Sequence, residues 1–371
     1  MAAVTGSAWC SSRLLGARRS LGDIDQMSRA AQTNPWLRRF AWLLAALTLF
    51  LICSGGMVTS KCVGLAVPDW PTTFGYNMFL FPVSQWVGGI FFEHTHRLIA
   101  SAVGFLTIIL SVWLWRAETR SWLRWSGVAA LGAVVLQGVL GGLRVTMLKD
   151  DIGIFHACLA QAFFGLLIVI ALALSDTWRR AVVSNLRSST ARIAIIATAL
   201  IYLQLGLGAT MRHQHRDLAI LDFPAAYGKA IPDMSAGALS AINQWREARA
   251  LSEVTAGQIW LQMAHRFVAL LIAAAVITFW FVIWRSASAA APPALRTLST
   301  WWLLLLAVQI TLGAWTIWSN KAADIATAHV AVGATMLAFG VAISAVALRC
   351  GSVVPRISSH ETAAIADGLH A

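Results

Sequence analysis

The sequence predicts an all-α integral membrane protein: eight transmembrane helices forming two tandem parallel four-helix bundles related by a pseudo-twofold axis along the membrane normal. Three observations carry this reading. The 371 residues are 58% hydrophobic and 12% charged, with a mean hydropathy of +0.69. A soluble domain carries about a quarter charged residues and could not hide that much apolar surface. Long apolar runs recur, each near the roughly 20 residues that cross a bilayer as a helix. Finally, the same short motifs appear in the same order in both halves of the chain.

The runs lie near residues 40–59, 94–115, 126–147, 153–174, 193–211, 258–284, 298–318 and 325–348. They divide the chain into an N-terminal tail (1–35), a first four-helix half (36–180), a second (190–349) and a C-terminal tail (350–371). The net charge of +12 does not indicate nucleic acid, because the basic residues sit in short segments between spans. Arg13, Arg18, Arg19, Arg29, Arg38 and Arg39 precede the first span; Arg116, Arg120, Arg124, Arg179, Arg180, Arg187, Arg192, Arg285 and Arg296 fill the second, fourth and sixth loops. The positive-inside rule therefore places those loops and both tails in the cytoplasm. The tail has no apolar stretch of a secretory signal, and Asp23 and Asp25 argue for a bacterial cytoplasmic tail in a plasma-membrane protein over a mitochondrial presequence and the mitochondrial inner membrane.

The duplication is specific. Leu65 to Gly75, with Asp69 and Pro71, recurs as Leu218 to Gly228, with Asp222 and Pro224. His96-Arg97 recurs as His265-Arg266, and Trp115-Arg116 as Trp284-Arg285, at one shared offset. Gln137 and Gly141 correspond to Gln309 and Gly313, and His156 to His329. An even number of spans per copy makes both copies enter the membrane in the same direction.

Ionisable groups inside a bilayer are costly, and this chain has few. His96, His156, His265 and His329 lie near the outer ends of even-numbered spans, on the second and fourth helix of each half. A lone intramembrane histidine is ordinarily a hydrogen-bonding core residue; repetition at matched positions points instead to two sites where facing imidazoles ligate a haem iron. His94 lies two residues from His96 and so on another helix face. His213 and His215 read as loop residues, with proton handling or transient metal contact as the sharper alternative, and His360 and His370 as solvated. Glu93 shares a helical face with His96, whereas the matching position is Gln262, an amide that cannot exchange a proton. A carboxylate capping the start of the span is the plainer alternative. Arg97, Arg266 and Arg144 either pair with haem propionates or snorkel to the interface. The tryptophans read as interfacial belt, with those in outer loops able to wall a porphyrin. Cys10, Cys53, Cys62, Cys158 and Cys350 show no CxxC spacing and are expected to be unpaired thiols.

Taken together, Gly55-Gly56-Met-Val-Thr59, Glu93-x-x-His96-Arg97, Gln137-Gly-x-x-Gly141-Gly142, His156-Ala-x-x-Ala-Gln161, His265-Arg266 and His329 resemble the haem A synthase family over about residues 36–348. The resemblance implies oxidation of the C8 methyl of haem O to the formyl of haem A. It implies Glu93 as the catalytic carboxylate, His96 and His156 as ligands of haem O, and His265 and His329 as ligands of a resident haem b. It also implies haem O synthase and cytochrome oxidase assembly as partners, with a membrane or soluble electron acceptor, and leaves self-association open. Many bacterial members carry a cysteine pair in an outer loop; here Cys62 stands alone. The rival readings are a diheme electron carrier of cytochrome b type, which does not explain the single carboxylate, and a transporter with parallel repeats.

Overall fold

The computed structural model describes residues 34–181, 186–214, 218–286 and 291–351. Both tails, and with them Cys10, His360, His370 and the basic residues before Asn34, fall outside the described residues, as does His215.

Among the described residues there are ten α-helices, eight of them long and apolar enough to cross a membrane. These are α1 (Pro35–Ser60), α2 (Gly88–Ala117), α3 (Ser121–Met147), α4 (Asp150–Ala173), α6 (Ser188–His213), α8 (Ala256–Arg285), α9 (Pro293–Trp318) and α10 (Ala323–Gly351). All eight expected spans are present, and each begins a few residues before its apolar run. Asn34 caps α1 by accepting the N–H groups of Trp36 and Leu37, with Pro35 at the first helical position. Thr255 and Gln258 form a reciprocal capping box at α8. Asp150 and Asp151 occupy the first turn of α4, where negative charge suits the helix dipole. Two short helices were not expected: α5 (Asp176–Arg180) and α7 (Ala236–Glu247), the latter within the long fifth loop.

The helices pack α1 with α2, α2 with α3, α3 with α4 and α4 with α1; in the second half α6, α8, α9 and α10 close the same circuit. Between halves, α1 meets α10, α4 meets α6, and α4 meets α10. Each pairing thus has a counterpart when the copies are exchanged. In the most apolar stretch of α4 and α10, 44% and 61% of residues are buried, against 17–28% in the other six, so these two form the centre. Small residues allow that contact: Ala334 and Ala338 of α10 enter the first-half core beside Phe163, Phe164 and Leu167. Thr198 and Ser344 share a hydrogen bond of 3.0 Å between α6 and α10, and Trp302 donates to the Met336 carbonyl at 3.0 Å.

Candidate haem sites

The four repeated histidines each sit against a glycine on the preceding helix of the circuit. A Cβ added at Gly55 would lie 2.9 Å from Cε1 of His96; the corresponding distances are 3.3 Å from Gly141 to His156, 3.4 Å from Gly208 to His265 and 3.1 Å from Gly313 to His329. Distances below 3.4 Å are tighter than ordinary carbon contacts, so at Gly55, Gly141 and Gly313 the missing side chain is what lets the ring lie there, while Gly208 stands at ordinary contact distance from His265. Nδ1 of all four rings is enclosed and without a hydrogen-bond partner, although each side chain as a whole is only half-buried. What access the rings have therefore lies away from Nδ1 and the glycine, toward Nε2. His96 is within electrostatic reach of His156, and His265 of His329.

Such a set fits haem. Two imidazoles per half can each offer Nε2 to one iron, and the glycines fix ring position. Glutamines hold the backbone behind the rings: Gln137 donates to the His156 carbonyl at 3.0 Å and Gln204 to the His265 carbonyl at 2.9 Å.

Glu93 is 4% exposed and fully engaged. One carboxylate oxygen accepts the Val67 N–H at 2.9 Å and the other pairs with Arg97 at 2.7 Å. It lies in the second turn of α2 rather than at the helix start, and what it holds is the loop that follows α1. Gln262 does the same in the second half, accepting the Ile220 N–H at 2.8 Å and donating to the Ile220 carbonyl at 3.0 Å. The carboxylate and amide are thus equivalent as loop clamps and differ in charge.

Arg97 and Arg266 complete those clamps. Arg97 donates to the carbonyls of Asp69 (2.7 Å), Val67 (2.9 Å) and Thr72 (3.2 Å). Arg266 donates to those of Asp222 (2.7 Å) and Ala225 (2.7 Å). The loops they hold fold alike. Asp69 accepts from Thr72 Oγ1, Phe74 N–H and Gly75 N–H, and Asp222 from Tyr227 N–H and Gly228 N–H. Gly75 (φ +77°) and Gly228 (φ +75°) take the backbone conformation that side chains resist. Burial works to raise the pKa of Asp69, but the bonds from Gly75, Thr72 and Phe74 outweigh it and hold the carboxyl below its usual range. Trp70 lies on α3 where Gly142 leaves space for its indole, so this tryptophan covers a helix end.

Arg144 differs from the other two arginines. Its guanidinium abuts Gly64 and Gly153, lies within electrostatic reach of His96 and His156, and makes no hydrogen bond to a described residue. The matching residue in the second half is Thr316. His213, expected in a loop, is instead the buried last residue of α6, packed on Gly153; the helix runs on because nothing in Thr210-Met-Arg-His breaks it. His94 is buried on the face opposite His96, as the spacing required. Cys53, Cys62, Cys158 and Cys350 form no disulfide among the described residues.

A family model described as "Cytochrome oxidase assembly protein" matches residues 76–341, a span that includes Glu93 and all four repeated histidines. The chain belongs to this family. Similar curated members carry the name Heme A synthase. The one from Shouchella clausii is 27% identical over 207 residues, covering 53% of this chain and 66% of that protein. The one from Geobacillus kaustophilus is 26% identical over 317 residues (79% and 86%), and that from Caulobacter vibrioides 25% over 337 residues (82% and 93%). With eight apolar helices, this family member is a multi-pass membrane protein. Of its site, the sequence named Gly55, Gly141 and Gly313 only as motif or repeat positions, not as ring seats, and missed Gly208 and the loop backbone that partners Glu93.

Proposed function

We propose that the protein is a haem A synthase, oxidising the C8 methyl group of haem O to a formyl group to give haem A for cytochrome oxidase. The observation that carries this reading is the pair of matched histidine sites, each ring seated on a glycine with Nδ1 enclosed, in a chain of this family. In this reading the halves 36–180 and 190–349 are two parallel bundles. His96 and His156 hold the substrate haem O, and His265 and His329 hold a resident haem b. A bound haem would supply reversible one-electron chemistry, a route by which the electrons released when the methyl and a water become a formyl could pass to the electron acceptor.

The chain's own groups account for positioning and charge. Glu93 brings the one carboxylate to the first site, on the same face as His96, where it can accept a proton or stabilise developing positive charge; Gln262 can do neither. Arg97 pairs with that carboxylate at 2.7 Å and fixes the loop above it. Arg144, with its donors uncommitted, is suited to a propionate of haem O, a need the second half meets without an arginine at Thr316. Arg97 and Arg266, each tied to loop carbonyls, orient the loops against which propionates would lie. In this reading both termini lie in the cytoplasm of a bacterium and the histidine-bearing ends at the outer face of its plasma membrane, which the basic second, fourth and sixth loops support. Haem O synthase as supplier, an electron acceptor in or beside the membrane, and the oxidase assembly pathway as recipient follow from the reaction.

The test is to purify the protein from cells that make haem O and to determine the masses of the extracted haems. Haem b together with haem O, a hydroxylated intermediate or haem A is expected. Haem b alone under every growth condition would instead identify an electron carrier.

A further inference from the structure

The two loops that the clamps hold begin alike and then diverge. From Trp70 to Phe92 the first-half loop and the start of α2 contain no charged residue, whereas the second-half counterpart carries Lys229, Asp233, Arg246, Glu247, Arg249 and Glu253. The first loop continues through two short 3-10 turns, Met78–Leu80 and Val83–Gln85, into α2. Its large exposed side chains there are apolar, Phe79 at 68% exposed, Leu80 77%, Val83 74% and Val87 63%, beside the exposed but uncharged Asn77, Ser84 and Gln85.

His94 shows which side of α2 this segment covers. With 3.6 residues per turn, His94 lies about three, four and five turns from Phe105, Ile108 and Val112, which form an exposed apolar stripe along α2. His96 falls on the opposite face with buried Val103, Leu110 and Leu114. A histidine at the top of a stripe that faces lipid would be costly. It is instead fully enclosed. Phe81 packs on it at 5.2 Å and Trp86 at 4.7 Å between ring centroids, and Thr73 Oγ1 lies 3.3 Å from Nδ1. The loop therefore folds down over the lipid-side face of α2, with its inner surface on His94 and its outer surface continuing the apolar stripe.

We propose that residues 74–91 form a ledge seated in the bilayer, with Phe79, Leu80, Val83 and Val87 at the boundary of headgroups and acyl chains of the leaflet that holds the histidine sites. Aromatic and apolar side chains partition favourably into that zone, and a segment free of charge avoids the large cost of desolvating an ion there. The second half provides the contrast. Met263, at the position matching His94, joins a small core with Leu239 and Ile242 of α7, while exposed Gln244 and Glu247 on α7, and Arg249 just past its end and 4.2 Å over the Trp245 ring, give that loop a charged outer side. The proposal does not depend on what the histidines bind.

The test places a nitroxide at F79C and V83C, and at S240C on α7, in a C62S background, with the labelled C62S parent as blank. The full-length protein is reconstituted in phosphatidylcholine nanodiscs. Collision with oxygen, which concentrates in the bilayer, is compared with collision with a water-soluble nickel chelate. The logarithm of the oxygen-to-nickel ratio is expected to be positive at F79C and V83C and negative at S240C. Nickel collisions at the two ledge positions as frequent as at S240C would overturn the proposal, leaving the ledge in water. Suppressed collisions with both reagents would also overturn it, identifying a second copy of the chain as the occupant.

Discussion

Replacing Glu93 separates its two roles, because the second half shows what an amide does in the same place. In E93Q the side-chain oxygen can still accept the Val67 N–H, as Gln262 accepts that of Ile220 at 2.8 Å. Arg97 loses its carboxylate partner at 2.7 Å but keeps the carbonyls of Val67, Asp69 and Thr72. Breaking a buried ion pair by removing one partner costs about 3–5 kcal/mol; with three carbonyls still neutralising the guanidinium donors, the loss should fall to about 1–3 kcal/mol. E93A adds an orphaned Val67 N–H, a further penalty of about 1–3 kcal/mol, and frees the loop. E93A can therefore fail through the loop alone, and only E93Q reports on the charge. If the carboxylate takes a proton or stabilises charge, E93Q lowers haem A formation by about 10²–10⁴-fold. Bound haem and the hydrogen-exchange protection of residues 63–75 should stay near wild type. Haem A formation at the wild-type rate in E93Q, with failure only in E93A, would refute the chemical role and leave Glu93 as a clamp.

Three further outcomes follow from the geometry. G55A and G313A, whose added methyls meet the rings at 2.9 and 3.1 Å, should shift the ligand-sensitive haem spectra more than G141A and G208A at 3.3 and 3.4 Å; overpacking of this kind costs about 1–3 kcal/mol, and equal effects would contradict the seating argument. R144A should weaken binding of haem O in the first site, measured by titration, without loss of loop protection, whereas R97A should loosen the loop; the reverse pattern would contradict the assignment. Asp69, held below its usual range in the folded loop, contributes stability that is present above the unfolded carboxylate value of about 3.9 and is lost only as pH falls through the lower folded value. Protection factors of the Phe74 and Gly75 amides, corrected for intrinsic exchange, should accordingly be flat from neutrality to about pH 4 and reduced throughout in D69N.

The spans were legible because crossing a bilayer imposes length and apolarity on each helix, and the histidine pairs because duplication put them at matched positions. The helix periods also placed His94 opposite His96 correctly. What the sequence hid were contacts made across the fold. Glu93 meets the backbone of Val67, and a backbone N–H carries no side-chain signal, so the difference between Glu93 and Gln262 reads from sequence as chemistry or a helix-start cap and not as the loop clamp that both residues form. The ring seats depend on where neighbouring helices cross, which no periodicity reports; Gly208 stands at the same offset from Gly55 as Asp222 from Asp69, and that match was the available clue. Arg97 and Arg266 were weighed between haem propionates and the membrane interface, yet their donors reach loop carbonyls that only the folded turn brings together. His213 was assigned to a loop because it follows the apolar run, although a helix can continue past its apolar segment when the neighbouring helix offers a glycine to pack on.

The central claim is that the two histidine pairs serve different haems, and the most direct measurement of it is the haem content of H96A and H265A purified in parallel. The account predicts that H265A loses haem b, whereas H96A retains haem b at the wild-type ratio and yields no haem A. Loss of haem b in H96A with its retention in H265A, or equal loss in both, would contradict it.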